Sequence, residues 1–213
     1  MKRALTVFAL AAAVAAPARA QWAGMPVWNS PKGGTGVTIN GDFGKPNADL
    51  GKGSAFGGRA THGLGSLSVT AGMSSWKPSG ASSSATSIGA TAAFRVIGGS
   101  LIPVNINLLV GGARTTADSV PNITTIVAGG GVSVSLPTPG VSIEPYLSIT
   151  ERVSKLSGIS GTNSNIGFTV GANASFGLIG VHLAYDSQKL TGGGTGSVIG
   201  LGVHVALKVP LGM

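Results

Sequence analysis

The chain has 213 residues, 36 of them Gly and none Cys, with 43% hydrophobic, 5% aromatic and 9% charged side chains. Ordinary soluble domains carry roughly 25% charged residues, so this material is poor for a solvated helical or α/β surface, and the apolar content argues against a disordered chain. The absence of Cys excludes a disulfide frame, a thiolate metal site and a Cys nucleophile, and the formal charge is +8.

The first 20 residues read as an export signal. Lys2 and Arg3 precede an apolar run from Ala4 to Ala16, and Ala18-Arg19-Ala20 has the small-x-small pattern of a cleavage site. Removing Lys2, Arg3 and Arg19 from the 14 basic residues leaves 11 against 6 acidic, with Gln21 as the new N-terminus. No later stretch is long and unbroken enough for a spanning helix. Residues 21–33 are expected as a short N-terminal periplasmic segment, 34–208 as the folded body and 209–213 as a C-terminal tail.

From Gly33 onward the dominant signal is period two, with apolar residues on one parity and Gly, Ser, Thr or Asn on the other. Val37, Ile39 and Phe43 mark a first strand, and a weaker one covers Phe56 to Thr61. Leu67, Val69, Ala71 and Met73 mark the third. Ile88, Ala90, Ala92, Phe94 and Val96 form the fourth, and Val104, Ile106, Leu108 and Val110 the fifth. Ile126, Val132, Val134 and Leu136 mark the sixth; Val141, Ile143, Leu147 and Ile149 the seventh, where Pro145, with no N–H for a ladder, predicts a bulge or a local break. The eighth is the clearest, with Ile166, Phe168, Val170, Ala172, Ala174 and Phe176 interleaved with Gly167, Thr169, Gly171, Asn173 and Ser175. Val181, Leu183 and Tyr185 give the ninth, and Ile199, Leu201, Val203, Val205 and Leu207 the tenth.

Short links are expected at 62–63, 98–103, 137–140 and 177, and longer polar ones at 44–52, 77–86, 116–122, 154–163 and 188–196. An even strand number with one trimmed and one looped end is the pattern of an outer-membrane barrel. The phase supports it. A soluble sandwich needs charge on its outer face, whereas the polar parity here is small and uncharged, which suits a cramped lumen with the apolar parity turned to lipid. The expected fold is therefore all-β, a closed antiparallel transmembrane β-barrel of about ten strands, with eight as the variant if the early strands do not span.

From the signal peptide to the last alternating strand, the pattern resembles the small bacterial outer-membrane β-barrel family, the porin-like or surface-antigen type of the Gram-negative cell envelope. The run Gly202-Val203-His204-Val205-Ala206-Leu207 is similar to the terminal strand such proteins present to the barrel-assembly machinery, although the chain continues from Lys208 to Met213 where family members commonly end on an aromatic residue. The resemblance implies export, outer-membrane location and assembly by that machinery. Trp76, Phe43, Phe94, Phe168, Phe176 and Tyr185 are the candidates for aromatic girdles.

The charged and imidazole residues on the lumen parity are Arg59, Arg95, Glu144, Arg152, Asp186, His182 and His204. Arg59, Arg95 and Glu144 are expected to pair across the lumen at the periplasmic end, either as a structural plug or as a gated ion path. His182 and His204 fall on neighbouring strands at matched height and are expected to approach each other. Two imidazoles lack the third ligand of a usual metal site, so no metal and no cofactor are expected. No second acid and no oriented Ser can be placed beside Asp186 and His182, so no catalytic residue is named and no enzymatic activity is expected. A lipid-modifying barrel enzyme is the lesser alternative.

Lys45, Lys52, Lys77, Arg114, Arg152, Lys155 and Lys189 map to the looped end, as do the acids Asp42, Asp49, Asp118, Glu151 and Asp186. Arg114, Lys77, Lys155 and Lys189 are the candidate rim for the phosphates of lipopolysaccharide, Arg114 being the best single contact. Nucleic acid is excluded by dispersed charge without stacking platforms. The expected role is a structural or surface-interaction protein of the outer membrane with a narrow, largely occluded lumen, and the rival is a small channel for ions or polar solutes. Ligand, oligomeric state and physiological role are not encoded in any motif.

Overall fold

The computed structural model of the chain describes residues 21–99, 102–118, 120–191 and 193–207. The expected signal peptide and the C-terminal tail lie outside the described residues.

Eleven strands follow in chain order: β1 (Gly34–Pro46), β2 (Ser54–Gly65), β3 (Leu67–Lys77), β4 (Ala85–Ile97), β5 (Val104–Ala117), β6 (Val120–Val134), β7 (Leu136–Thr138), β8 (Val141–Leu156), β9 (Asn163–Phe176), β10 (Ile179–Lys189) and β11 (Thr195–Leu207). Each long strand pairs antiparallel with its neighbours in sequence, β1 pairs with β11, and β6 pairs with β8 across the short β7. Ten strands thus close a barrel, which removes every sheet edge from the hydrocarbon.

The phase of the alternation is decided on β9. Ile166, Phe168 and Val170 are 71%, 44% and 50% exposed on the outer wall, while Thr169 between them is fully enclosed. The same holds around the barrel, with Leu108, Ile149, Leu183, Leu201 and Val203 outside. Asn40, Asn107, Thr125, Ser148 and His182 are buried inside. An apolar belt of this kind is stable only against lipid.

Pro145 breaks one ladder and not the other. It stays in register opposite Ala172 of β9, whereas pairing with β6 stops at Ser133 and resumes only with Leu136 on β7. Ser135 instead donates its N–H to the Pro103 carbonyl at 2.6 Å. The two true register shifts lie elsewhere, between Arg95 and Ile97 on β4 and between Thr115 and Ala117 on β5.

The end asymmetry is shallower than the loop spacing predicts. Where a long loop is expected over 116–122, β5 and β6 stay paired as far as Ala117 and Val120. The link at 62–63 is strand, and the turn falls at Gly65, whose φ of 82° suits Gly. At that same end β4 stops at Ile97 and β5 starts only at Val104, so the link expected there as short is wider than the turn at Gly65. The loop after β1 is tied down: Asn47 caps the 3₁₀ turn Ala48–Leu50, and Asp49 accepts the Thr195 N–H at 2.9 Å.

A plugged lumen as the candidate functional site

The largest departure from expectation concerns residues 21–33. Expected outside the barrel as a periplasmic segment, they run inside it: Gln21, Trp22, Ala23, Met25, Val27, Trp28 and Asn29 are all buried. Entering beside Gly34 at the end that carries the short turns, the segment rises along the lumen to a turn in which the Met25 N–H bonds to the Trp22 carbonyl at 3.1 Å. Gly24 sits in this turn at φ 71° and packs against Ala55 and Trp76. Gln21 then points back to mid-wall, donating to the Ala90 carbonyl at 2.6 Å and bonding Thr91.

A segment this apolar stays in a polar lumen because several of its polar groups are bonded there, although the buried indole N–H groups of Trp22 and Trp28 have no hydrogen-bond partner among the described residues. The Val27 N–H donates to Asp186 at 3.2 Å. Asn29 exchanges two hydrogen bonds with Asn107, at 3.1 and 2.8 Å, and donates to Ser148 at 2.9 Å. Nearer the entrance, Glu144 accepts from Ser30 and from the Lys32 backbone N–H, both at 2.7 Å. The apolar side chains find company too: Val27 packs with Leu109 and Val127, and Trp22, Met25 and Trp28 cluster with Trp76 and Tyr146.

Inward glycines make the channel for this segment. A Cβ on Gly44 would meet the Gly24 carbonyl, one on Gly200 would meet Pro26 and Trp28, and one on Gly131 would meet Asn29. Others leave space for large wall residues, as Gly167 does for the Arg152 guanidinium and Gly171 for the Tyr146 ring. The Gly-rich lumen parity is thus shaped for particular occupants. Trp76 is one of them: expected in an aromatic girdle, it is 1% exposed and inside, because it follows Met73 by an odd number of residues, and its indole N–H donates to the Lys52 carbonyl at 2.9 Å. The other girdle candidates, Phe43, Phe94, Phe168, Phe176 and Tyr185, are on the outer face.

Arg59, Arg95 and Glu144 do not pair with one another. Arg59 forks onto Asp42, Nε to Oδ2 at 2.6 Å and Nη2 to Oδ1 at 3.0 Å, and lies 5.1 Å over the Trp28 ring. Arg95 donates to the Lys32 carbonyl. Glu144 accepts only from uncharged donors, including Ser133 and Asn173. The reason is the N-terminal segment, which occupies the space that the three side chains would have had to cross. A second ion pair lies higher in the lumen, where Arg152 meets Asp186 in a fully enclosed fork.

His182 and His204 do meet, with Nδ1 atoms 3.5 Å apart. Their sequence carries a signal that the strand alternation alone does not use: Gly180-Val181-His182 and Gly202-Val203-His204 repeat on adjacent antiparallel strands, so each His stands opposite the other's Gly. A Cβ on either Gly would strike the facing imidazole. Below this pair a cavity of about 530 Å³ remains, bordered by Trp28, Asn40, Arg59, Thr61, Ser175 and Ala206. Among the described residues no group of three His, Cys, Asp or Glu is arranged to hold a metal ion.

On the outer wall, Arg114, Lys77, Lys155 and Lys189 are all exposed towards the looped end, and Arg114 and Lys155 flank Thr124 from its two sides. Of the five acids mapped to that end, Asp42 and Asp186 point inward and are neutralised by arginines. The outward surplus of positive charge is therefore larger than the sequence count.

No protein-family model matches the chain, and no curated protein matches it. Solved structures do. The β domain of the Bordetella autotransporter BrkA superposes with a TM-score of 0.53 at 13% identity, covering 84% of this chain and 86% of that one. The fold is that of an outer-membrane β-barrel. The translocator domain of the autotransporter NalP from Neisseria meningitidis aligns at a TM-score of 0.44 and 15% identity, over 82% of this chain and 89% of that one. LpxR from Salmonella typhimurium gives 0.47 and 9%, over 80% and 100%.

Proposed function

We propose that the protein is a structural barrel of the bacterial outer membrane whose lumen is closed by its own N-terminal segment. The observation that carries this reading is the burial of residues 21–23 and 25–29 across the bore, with Val27 and Asn29 bonded to wall residues on β5, β8, β9 and β10. Fold and apolar belt support an outer-membrane location, reached through cleavage of the first 20 residues and insertion by the barrel-assembly machinery. Its loops and basic wall then face the outside, where lipopolysaccharide phosphates are the partner chemistry of Arg114, Lys77, Lys155 and Lys189.

Planar-bilayer conductance tests the closure. The parent protein is expected to give no channel steps, and a variant lacking residues 21–31 is expected to conduct, because the segment leaves behind a bore lined by Gly and small polar residues. Steady conductance by the parent would transfer the chain to the rival reading, a small channel for ions or polar solutes.

A further inference from the structure

The Asp42, His182, His204 and Ser175 side chains form one hydrogen-bonded row across β1, β10, β11 and β9, and its direction can be worked out from the chemistry of its members. At one end, the Asp42 carboxylate only accepts, so His182 donates to it from Nε2–H at 2.6 Å. The Arg59 guanidinium lies 3.2 Å from the same nitrogen, and in the imidazole tautomer that donates from Nε2 the lone pair of His182 sits on Nδ1. That lone pair faces the Nδ1 of His204. The ring centres are 5.8 Å apart and the rings only 18° from parallel, while the nitrogens are 3.5 Å apart. The difference is about the width of one ring, so the two nitrogens lie on the line joining the centres and point at each other. His204 must then carry its proton on Nδ1, and its Nε2 is left as a base. Ser175 Oγ lies 3.1 Å from that Nε2.

We propose that Ser175 is a nucleophile for acyl transfer, with His204 as its general base and His182 and Asp42 as positioning residues that fix the His204 tautomer. This goes beyond the sealed-barrel reading and departs from the expectation of a chain without catalytic residues. From sequence alone, Ser175 could not be told from the many other serines.

The substrate class is a small carboxylic ester. Ser175 borders the 530 Å³ cavity, whose walls combine Trp28 and Leu109 with Asn40, Thr61 and Thr70, a size and mixture suited to a short acyl chain carrying a polar group. Oγ attacks the ester carbonyl carbon as its proton passes to His204 Nε2. The bond to the leaving oxygen breaks, that oxygen takes the proton and departs as the alcohol, and the acyl group remains on Ser175 until water, deprotonated by the same nitrogen, releases the acid and restores the hydroxyl. No other reactant is needed.

The test uses the detergent-folded full-length barrel with p-nitrophenyl butyrate and, separately, a fluorophosphonate, with the adduct located by peptide mass spectrometry. The expected result is a single adduct on Ser175, absent from Ser175→Ala and formed at least tenfold more slowly in His204→Gln, with heat-modifiable migration confirming that each variant is folded. Nitrogen NMR of labelled histidine is expected to show His204 protonated on Nδ1 in the parent and redistributed towards Nε2 in His182→Phe. Absence of a Ser175 adduct, equal labelling of His204→Gln, or a parent His204 protonated on Nε2 would each overturn the proposal. None of these results depends on whether the lumen conducts, so failure here leaves the sealed-barrel reading standing.

Discussion

Arg152 and Asp186 face each other inside the barrel through two parallel contacts of 2.7 Å, Nη1 to Oδ1 and Nη2 to Oδ2, with neither side chain reaching solvent. Gln188 takes a further guanidinium proton at 2.9 Å, Thr150 accepts from Nε at 3.0 Å, and Thr169 donates to Asp186 at 2.6 Å. The pair is thus satisfied on every side, and it also accepts the Val27 N–H of the N-terminal segment.

Removing one partner of such a pair strands a buried charge. Asp186→Asn or Arg152→Ala is expected to lower barrel stability by about 3–5 kcal/mol. The double variant Arg152→Met with Asp186→Leu is expected to recover much of that loss, because the charges leave together. Urea unfolding in detergent, followed by heat-modifiable gel migration, measures all three.

The cradle glycines predict a different failure. A Gly44→Val side chain would occupy the place of the Gly24 carbonyl and crowd Met25, while the wall pairing of Gly44 with Gly200 and Ala55 is unaffected. The barrel is expected to fold and its N-terminal segment to be displaced. Single-channel recording should then show conductance in Gly44→Val and none in the parent.

All three tryptophans of the chain, Trp22, Trp28 and Trp76, are buried within the lumen, and none faces the apolar wall. Brominated lipid quenches indoles that touch acyl chains. Reconstitution into brominated phospholipid is therefore expected to leave the tryptophan emission close to its value in the unbrominated lipid. Quenching of a third or more of the intensity would place an indole outside and contradict the phase of β3 or the course of the segment.

At the looped end, Arg114 and Lys155 stand outward on either side of Thr124 with Glu151 the nearest outward acid on β8. Each cation near an anionic surface contributes about 1 kcal/mol, so Arg114→Ala is expected to weaken lipopolysaccharide binding about fivefold and the pair of alanine substitutions more than tenfold. Binding measured at low and high salt should show the difference shrinking as salt rises. Unchanged binding by both variants would remove this rim as a partner site.

How far the sequence alone reached is clearest on β9 and β3. Ile166 to Phe176 alternates so strictly that strand, phase and lipid-facing side follow from period two and low charge together. The same rule applied to β3 puts Trp76 inside, against the habit that places aromatics in a girdle. Local alternation also placed His182 beside His204, because adjacent antiparallel strands fix register once their turn is known.

Contacts between strands far apart around the wall, and the course of residues 21–33, were decided only in three dimensions. Arg59 chooses Asp42 over Glu144 because the N-terminal segment fills the bore between them, and nothing in the spacing of those residues records that volume. The alternation of apolar and small polar side chains is a local property of each strand and determined a lipid-facing barrel. What occupies a closed bore depends on the shape left when ten strands meet, and that shape exists only after closure.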